Sequence, residues 1–315
     1  MALDHERLFE PFLDEVDGVM CVPASARAAD ITRQAAPGGL RFPLLLEAES
    51  PLSTQIGASA FTPASSRFGP YCDNITGMNW ELPDGRQVRV GERVVKSTTG
   101  YDLLRFLLGT GKRFGRPRDY VLRLRPACDG GGVIRLEGEP GSLERAAAAI
   151  LHSSFLHWLE SVDWMGGGEE SAPWLRAGVH CPKAEWPVFE DFFFGLARQH
   201  GLTARITGGD GQVLDGCPDL AFKTTPERVI PLAREIAGRF PGARCVALCY
   251  CGVLHVHLPP DPEIAARVAA VAAPVAQSLH DLGGDWHSRH VERPVSCAEE
   301  AAWIETLTRK WGGTT

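Results

Sequence analysis

Leu8, Phe9, Phe12, Leu13 and Val16 fall on one helical stripe, and this predicts an opening amphipathic helix. GVMCVPAS, ARAADITRQAAPGG and LRFPLLLEAE then read as strand, short helix stopped by Pro-Gly-Gly, and buried strand, the start of a βαβ unit. STQIGASAFTPASSRFGPYCDNITG is rich in small, hydroxyl-bearing and turn residues, carries no helical period, and predicts a wandering loop. MNWELPDGRQVRVG alternates around Asp84-Gly85, a strong hairpin signal. VVKSTTGYDLLRFLLG ends as a Leu-rich helix, and RDYVLRLRP alternates through Tyr120, Leu122 and Leu124 until Pro126 ends the strand.

After the hinge-like CDGGG the rhythm changes, which predicts a unit at residues 1–127 and a second at 131–315. GVIRLEG reads as a strand, Gly141-Ser142 starts a helix through AAAAILHSS, and HWLESVDWM and PWLRAGVHC are two more strands. Pro187 opens a helix with Phe189, Phe192, Phe193 and Leu196 on its apolar side, Gly201 stops it, and the strand GLTARITG follows. Thr225-Pro226 caps a helix bearing Val229, Ile230, Ala233, Ile236 and Ala237. Asp261-Pro262 starts another with Ile264, Val268, Val271, Val275 and Leu279 on one face. The class is therefore α+β, with an antiparallel sheet carrying helices on one face in the second unit.

At 315 residues the chain has room for two domains of ordinary size, each with its own core. A net charge of -7 disfavours nucleic acid and anionic membrane surfaces as partners. No apolar run is long enough to span a bilayer, and MALDHERLFEPFLDEV is acidic where a signal peptide would be basic, so the cytoplasm is the expected location. Nine irregularly spaced cysteines fit reduced thiols better than a disulfide framework. Cys245, Cys249, Cys251, His255 and His257 lie within thirteen residues and are all odd-numbered, so an unbroken strand would gather these soft-metal ligand types on one face. Their spacing matches no familiar zinc pattern, and ARCVALCYCGVLHVHL is read as two core strands broken near Gly252, with no metal assigned.

Three blocks together resemble the flavin-linked 2-hydroxy-acid oxidases and dehydrogenases, the glycolate oxidase subunits and D-lactate dehydrogenases of the vanillyl-alcohol-oxidase superfamily. The first is RFGPYCDNITGMNWELPDG; the second and most specific is VVKSTTGYDLLRFLLGTGKRFG through LRLRP; the third is SLERAAAAILHSSFLHWLESVDWM with CGVLHVHL. The resemblance implies a shortened FAD-binding domain of the PCMH type followed by a ferredoxin-like cap domain. It implies FAD as cofactor, with Gly57, Ala58, Thr62, Ser65 and Ser66 along the flavin and ribityl chain, and Asp73 and Gly77 shaping the next turn. Lys96, Gly100, Tyr101 and Asp102 match the helix-starting block, with Gly109, Gly111 and Gly115 in the glycine turn behind it. Tyr101 and Leu103 serve equally as core packing, and Asp102 as a helix cap. By the same resemblance, His255 or His290 would take the substrate's hydroxyl proton.

The chain departs from this pattern. It lacks the Gly-rich loop that cradles the FAD pyrophosphate; Glu47 and Glu49 stand after the strand instead, and Pro117 falls in the glycine turn where an N–H would face the cofactor. Where relatives carry Gly-Glu-His-Gly, this chain has His287-Ser288-Arg289-His290. Two readings follow. One is an FAD-linked subunit acting on a small 2-hydroxy acid such as glycolate or D-lactate with a degenerate FAD site. The other is a non-catalytic, FAD-less scaffold or regulatory subunit. The second implies a catalytic flavoprotein subunit as partner, and either implies a separate iron-sulfur subunit for onward electron transfer, since no cysteine run here would hold a cluster.

Overall fold

The computed structural model of the chain describes residues 11–91, 103–109, 114–168, 172–208, 215–280, 285–288, 290 and 305–306. Strand β1 (Phe12–Asp14) pairs antiparallel with β2 (Val19–Pro23), so the described part of the opening stripe is extended and not helical. The cause is local: Asp14 Oδ1 accepts the backbone N–H groups of Val16 and Asp17, closing a turn that leaves Val16 95% exposed. After helix α1 (Ala28–Ala35) the expected long buried strand shrinks to β3 (Leu40–Arg41), because Pro43 has no N–H for a ladder. The apolar run Phe42–Leu46 is buried all the same. Gln55, fully buried, holds it: Oε1 accepts the N–H of Leu46 at 2.7 Å and Nε2 donates to the carbonyls of Glu47 and Ser50, both at 2.9 Å. No βαβ unit forms.

The small-residue stretch is also more ordered than its composition predicts. It folds as α2 (Leu52–Ala58), α3 (Ser65–Phe68) and α4 (Tyr71–Asn74). The hairpin around Asp84-Gly85 forms as predicted, joining β4 (Ile75–Glu81) to β5 (Gln87–Gly91). Helix α5 (Leu103–Gly109) leads to β6 (Arg116–Arg123), which completes an antiparallel sheet of order β1-β2-β6-β4-β5. A short β7 (Arg125–Pro126) pairs with β3. Tyr71, Trp80, Phe114, Tyr120 and Leu122 are buried in the core of this region.

The second sheet is built twice from one plan. Strand β8 (Gly130–Glu137), helix α6 (Pro140–Leu151), strands β9 (Leu159–Gly167) and β10 (Trp174–Cys181), helix α7 (Trp186–His200) and β11 (Thr203–Gly208) form a βαββαβ unit. A second unit follows: β12 (Leu220–Lys223), α8 (Pro226–Arg239), β13 (Arg244–Leu248), β14 (Val253–His257), α9 (Ile264–His280) and β15 (Asp285–Ser288). The order β11-β8-β10-β9-β13-β14-β12-β15 places each unit in the ferredoxin-like arrangement and fuses them through β9 and β13. Strands β12 and β15 lie in short, irregular stretches that the sequence pattern passes over.

All four helices contribute to the core on one face of this sheet. Leu143, Ile150, Phe189, Phe193, Val229, Ile236 and Val268 meet Ile134, Val162, Trp164, Leu175, Ala247, Phe222 and Val256 there. Each fully buried Leu, Val or Phe side chain contributes about 1.5–3 kcal/mol relative to exposure. The other face carries none of these four helices, and in that sense it is the helix-free face; α3 of the N-terminal region lies against it at β9, and polar side chains concentrate there.

Candidate functional site on the helix-free face

Period-two alternation decides which side chains reach the helix-free face. Leu175 and Ala177 point to the helices, so Arg176 between them points away; Val162 and Trp164 do the same for Asp163. A bulge between Gly178 and Val179 on β10, opposite Leu159 and Ser161, re-phases β9. Leu159 and Val162 therefore both enter the helix-side core, while Glu160, at the extra position, pairs with Arg41.

At the centre of this face lies a buried ionic group. Arg176 donates from Nε and Nη2 to Asp163 Oδ2 at 3.0 and 2.8 Å, and from Nη1 and Nη2 to the two oxygens of Asp215 at 2.6 and 2.5 Å. Arg244 donates to the Asp215 carbonyl at 2.8 Å, with its Nη1 3.8 Å from the Asp215 carboxylate. Burial pushes Asp163 up to about 6 against the pull of Arg176. Burial acts the same way on Asp215, but the two arginines, Arg176 first, outweigh it and hold that carboxyl below the ordinary range. Alternating charges at this spacing compensate one another where water does not reach.

His255 and His257 project from β14 onto the same face. Burial lowers His255 to about 4, and burial together with Arg244 lowers His257 to about 3, so both imidazoles are neutral at neutral pH. His255 Nε2 lies 2.9 Å from Ser59 Oγ, which also accepts the N–H of Phe61. This contact joins the small-residue segment to the sheet. Phe61 packs on an apolar patch of Met165, Val246, Leu248, Cys251 and Val253, and Lys223 stands 4.9 Å over its ring. Ser66 Oγ is 4.0 Å from Cys251 Sγ.

Cys245 and Cys249 of the metal-like cluster do not share a face with its histidines, whereas Cys251 stands on the histidine side. Strands β13 and β14 pair Cys245 with Val256 and Val246 with His255, so odd numbers on one strand share a face with even numbers on the other. Cys245 and Cys249 are buried on the helix side, and burial pushes the Cys245 thiol up to about 12. His255 and His257 are on the opposite side. Gly252, at φ 63 in the intervening turn, has Thr224 O only 2.5 Å from where a Cβ would sit, so this tight reversal requires glycine. Among the described residues no group of three or more His, Cys, Asp or Glu is arranged to hold a metal ion.

The residues singled out in the sequence separate into several places. Gly57 and Ala58 lie in α2, Ser65 and Ser66 in α3, and Thr62 in the link between them, beside the helix-free face. Asp73 pairs with Arg105 of α5 instead of facing that segment. Gly77 lies in β4 opposite Gly91, and Gly109 ends α5. Gly115 has φ 120, and a Cβ there would sit 2.0 Å from the Glu81 carbonyl, so a close approach of two strands explains the glycine. Lys96, Gly100, Tyr101, Asp102 and Gly111 lie outside the described residues. His255 and His290 have different partners, since His290 Nε2 meets Asp219 Oδ1 at 2.8 Å. The sequence reading missed Ser59, Asp163, Arg176 and Asp215. For Asp163 and Arg176 the available signal was a charged residue flanked by apolar ones within a strand, in VDWM and WLRAGV.

Among the described residues, the segment implied to border a flavin is engaged within the protein itself. Ala58 and Thr62 are fully buried, the Ser65 hydroxyl accepts the Thr62 N–H at 2.9 Å, Ser59 is engaged by His255, and Phe61 occupies the apolar patch. Four buried polar atoms in the same neighbourhood nevertheless lack a hydrogen-bond partner among the described residues: Thr62 Oγ1, Asp163 Oδ1, His255 Nδ1 and His257 Nε2.

No family model matches the chain. Over 118 residues, 37% of its length, it is 26% identical to two proteins described as uncharacterized FAD-linked oxidoreductases, from Mycobacterium tuberculosis strains CDC 1551 / Oshkosh and ATCC 25618 / H37Rv. The matched stretch is 26% of each relative, so the chain spans about a quarter of the length of the curated relatives it matches. At this level the chain is similar to FAD-linked oxidoreductases, and neither description names a substrate. No described helix is long and apolar enough to cross a membrane.

Proposed function

We propose that the chain is a subunit of an FAD-linked oxidoreductase assembly acting on a 2-hydroxy acid of the glycolate or D-lactate kind, with a degenerate flavin site of its own. It supplies the cap-like sheet and its docked N-terminal unit, and a partner flavoprotein supplies the flavin chemistry. The observation that carries this reading is the Ser59 to His255 contact at 2.9 Å, by which the segment that would border a flavin is fastened to the sheet. The absence from the sequence of a glycine-rich pyrophosphate loop points the same way.

The test is the visible absorption spectrum of the chain purified alone, followed by co-purification with a flavoprotein and an iron-sulfur subunit encoded nearby. A colourless protein that does not take up added FAD yet forms the complex is the expected result. Flavin at one equivalent per chain would overturn the reading. A second reading, in which the chain is itself a flavoenzyme, is favoured by the four unpartnered polar atoms, which suit a bound polar ligand. The same spectrum decides between the two.

A further inference from the structure

A separate concentration of charge lies where α3 approaches β7 and the start of β9. The guanidinium carbons of Arg41, Arg67 and Arg125 stand 5.9, 5.3 and 5.4 Å from the centre of the Phe68 ring. They come from β3, α3 and β7, so only the tertiary fold assembles them. One carboxylate, Glu160, serves two of them: it contacts Arg41 Nη2, and Arg67 Nη1 is 3.9 Å away. Arg125 pairs with no carboxylate among the described residues; its Nη2 donates to the Asn74 side-chain oxygen at 2.8 Å, and its Nε is buried without an acceptor among those residues. The remaining bonds of Arg67 go to neutral carbonyls, His180 O at 3.3 Å and Trp158 O at 3.5 Å.

The ring faces attract cations, but each such contact is worth about 0.5–2 kcal/mol and cancels no charge. Glu160 is shared by Arg41 and Arg67, and Arg125 meets no carboxylate among the described residues, so positive charge is concentrated in a partly desolvated place. Arg125 accordingly has its pKa lowered by burial, then by the like charges of Arg123 and Arg67. The Arg41 side chain is 11% exposed and forms the floor, while that of Arg67 is 27% exposed and keeps a route to solvent. Guanidinium forks match the oxygens of a tetrahedral oxyanion, whose negative charge would offset theirs.

We propose that the arginine cage around Phe68 is a binding site for a doubly charged oxyanion, a phosphate either free or carried on a nucleotide. The site does not depend on the flavin reading above, because none of its arginines belongs to the helix-free face of the sheet. It also spans two parts of the fold, so occupancy would brace α3 and β7 against β9.

The test is thermal unfolding of the full chain in inorganic phosphate against sodium chloride at equal, low ionic strength, with isothermal titration as a direct measure of binding. A saturable rise in Tm with phosphate alone is expected, and the Arg67→Gln/Arg125→Gln double variant should lose it. Should that variant not fold, Arg125→Lys keeps the charge without the fork and should weaken phosphate binding about tenfold. ADP in place of phosphate separates the two sources. Tighter binding of ADP that Arg125→Lys weakens assigns the cage to a nucleotide's phosphates, and equal binding assigns it to a free anion. An equal rise in chloride, unchanged affinity in the variants, or binding of neither anion would overturn the proposal.

Discussion

The two faces of the eight-stranded sheet are buried to a similar depth by opposite means. Leu175 and Arg176 are neighbours on one strand, at 0% and 5% exposure, yet one meets helix side chains and the other two carboxylates. On the helix side, burial follows from area alone, and any well-fitting apolar side chain would serve. On the other side the buried charges of Arg176, Asp163 and Asp215 and the His255 ring are held by specific polar contacts, and Ser59 comes from outside the sheet altogether. A fold that needed only stability would not require charges there, since buried ion pairs are weak contributors compared with apolar packing. The polar face is thus where function is to be sought.

The comparison breaks first at Arg176. Arg176→Met leaves buried Asp163 without its cation and Asp215 with Arg244 alone, and should cost about 3–5 kcal/mol in urea unfolding. Leu175→Ala, one residue away, should cost about 2–5 kcal/mol through a cavity, with no change in the pH dependence of stability. If both variants shift that pH dependence equally, the two faces are not energetically distinct.

The titration of the histidines sharpens the same contrast. His255 and His257 are lowered from 6.5 to about 4 and about 3, so the unfolded chain binds more protons over that range. Their contribution is intact above pH 6.5 and is lost as pH falls toward 4, worth roughly 3 kcal/mol for His255. Asp163, raised from 3.8 to about 6, acts with the opposite sign over a narrower span, so the net effect is loss of stability on acidification. Denaturant midpoints from pH 7 down to pH 4 should fall in the native chain (pH values roughly as set by the ordinary and shifted pKa ranges), and less steeply in His255→Gln.

Ser59→Ala removes the hydroxyl's two hydrogen bonds, to His255 and from the Phe61 N–H, and should cost about 1–3 kcal/mol. If it also allows the chain to take up FAD, the segment can be released from the sheet and the scaffold reading weakens. The smallest effect is chemical. In the native chain a thiol reagent should modify Cys72 and Cys128, which are partly exposed, well before Cys245 or Cys249, as peptide mapping would read out. Early modification of Cys249 would contradict the closed helix-side core.

Much of the fold is legible in the sequence because it depends on local pattern. The Asp84-Gly85 hairpin, Pro187 and Gly201 bounding α7, and the Thr225-Pro226 start of α8 are set by backbone preferences that neighbouring residues alone express. The opening helix reading fails because Asp14 offers the backbone a turn, which hydrophobic period does not register. The long strand reading of LRFPLLLEAE fails at Pro43, where buried coil is supported by Gln55 from a later helix.

By itself the sequence determines the α+β class, most of the helices and hairpins, and the likeness to FAD-linked oxidoreductases, since these rest on periodicity, caps and short motifs. Only the tertiary structure decides what those elements bring together. The antiparallel register of β13 and β14 sends Cys245 and Cys249 to the face opposite His255 and His257, and a bulge turns Glu160 toward Arg41. Docking of α2 and α3 sets Ser59 on His255, and the meeting of β3, α3 and β7 gathers three arginines around Phe68. Register and docking are long-range choices, fixed by which faces pack together, and spacing along a chain carries no record of them.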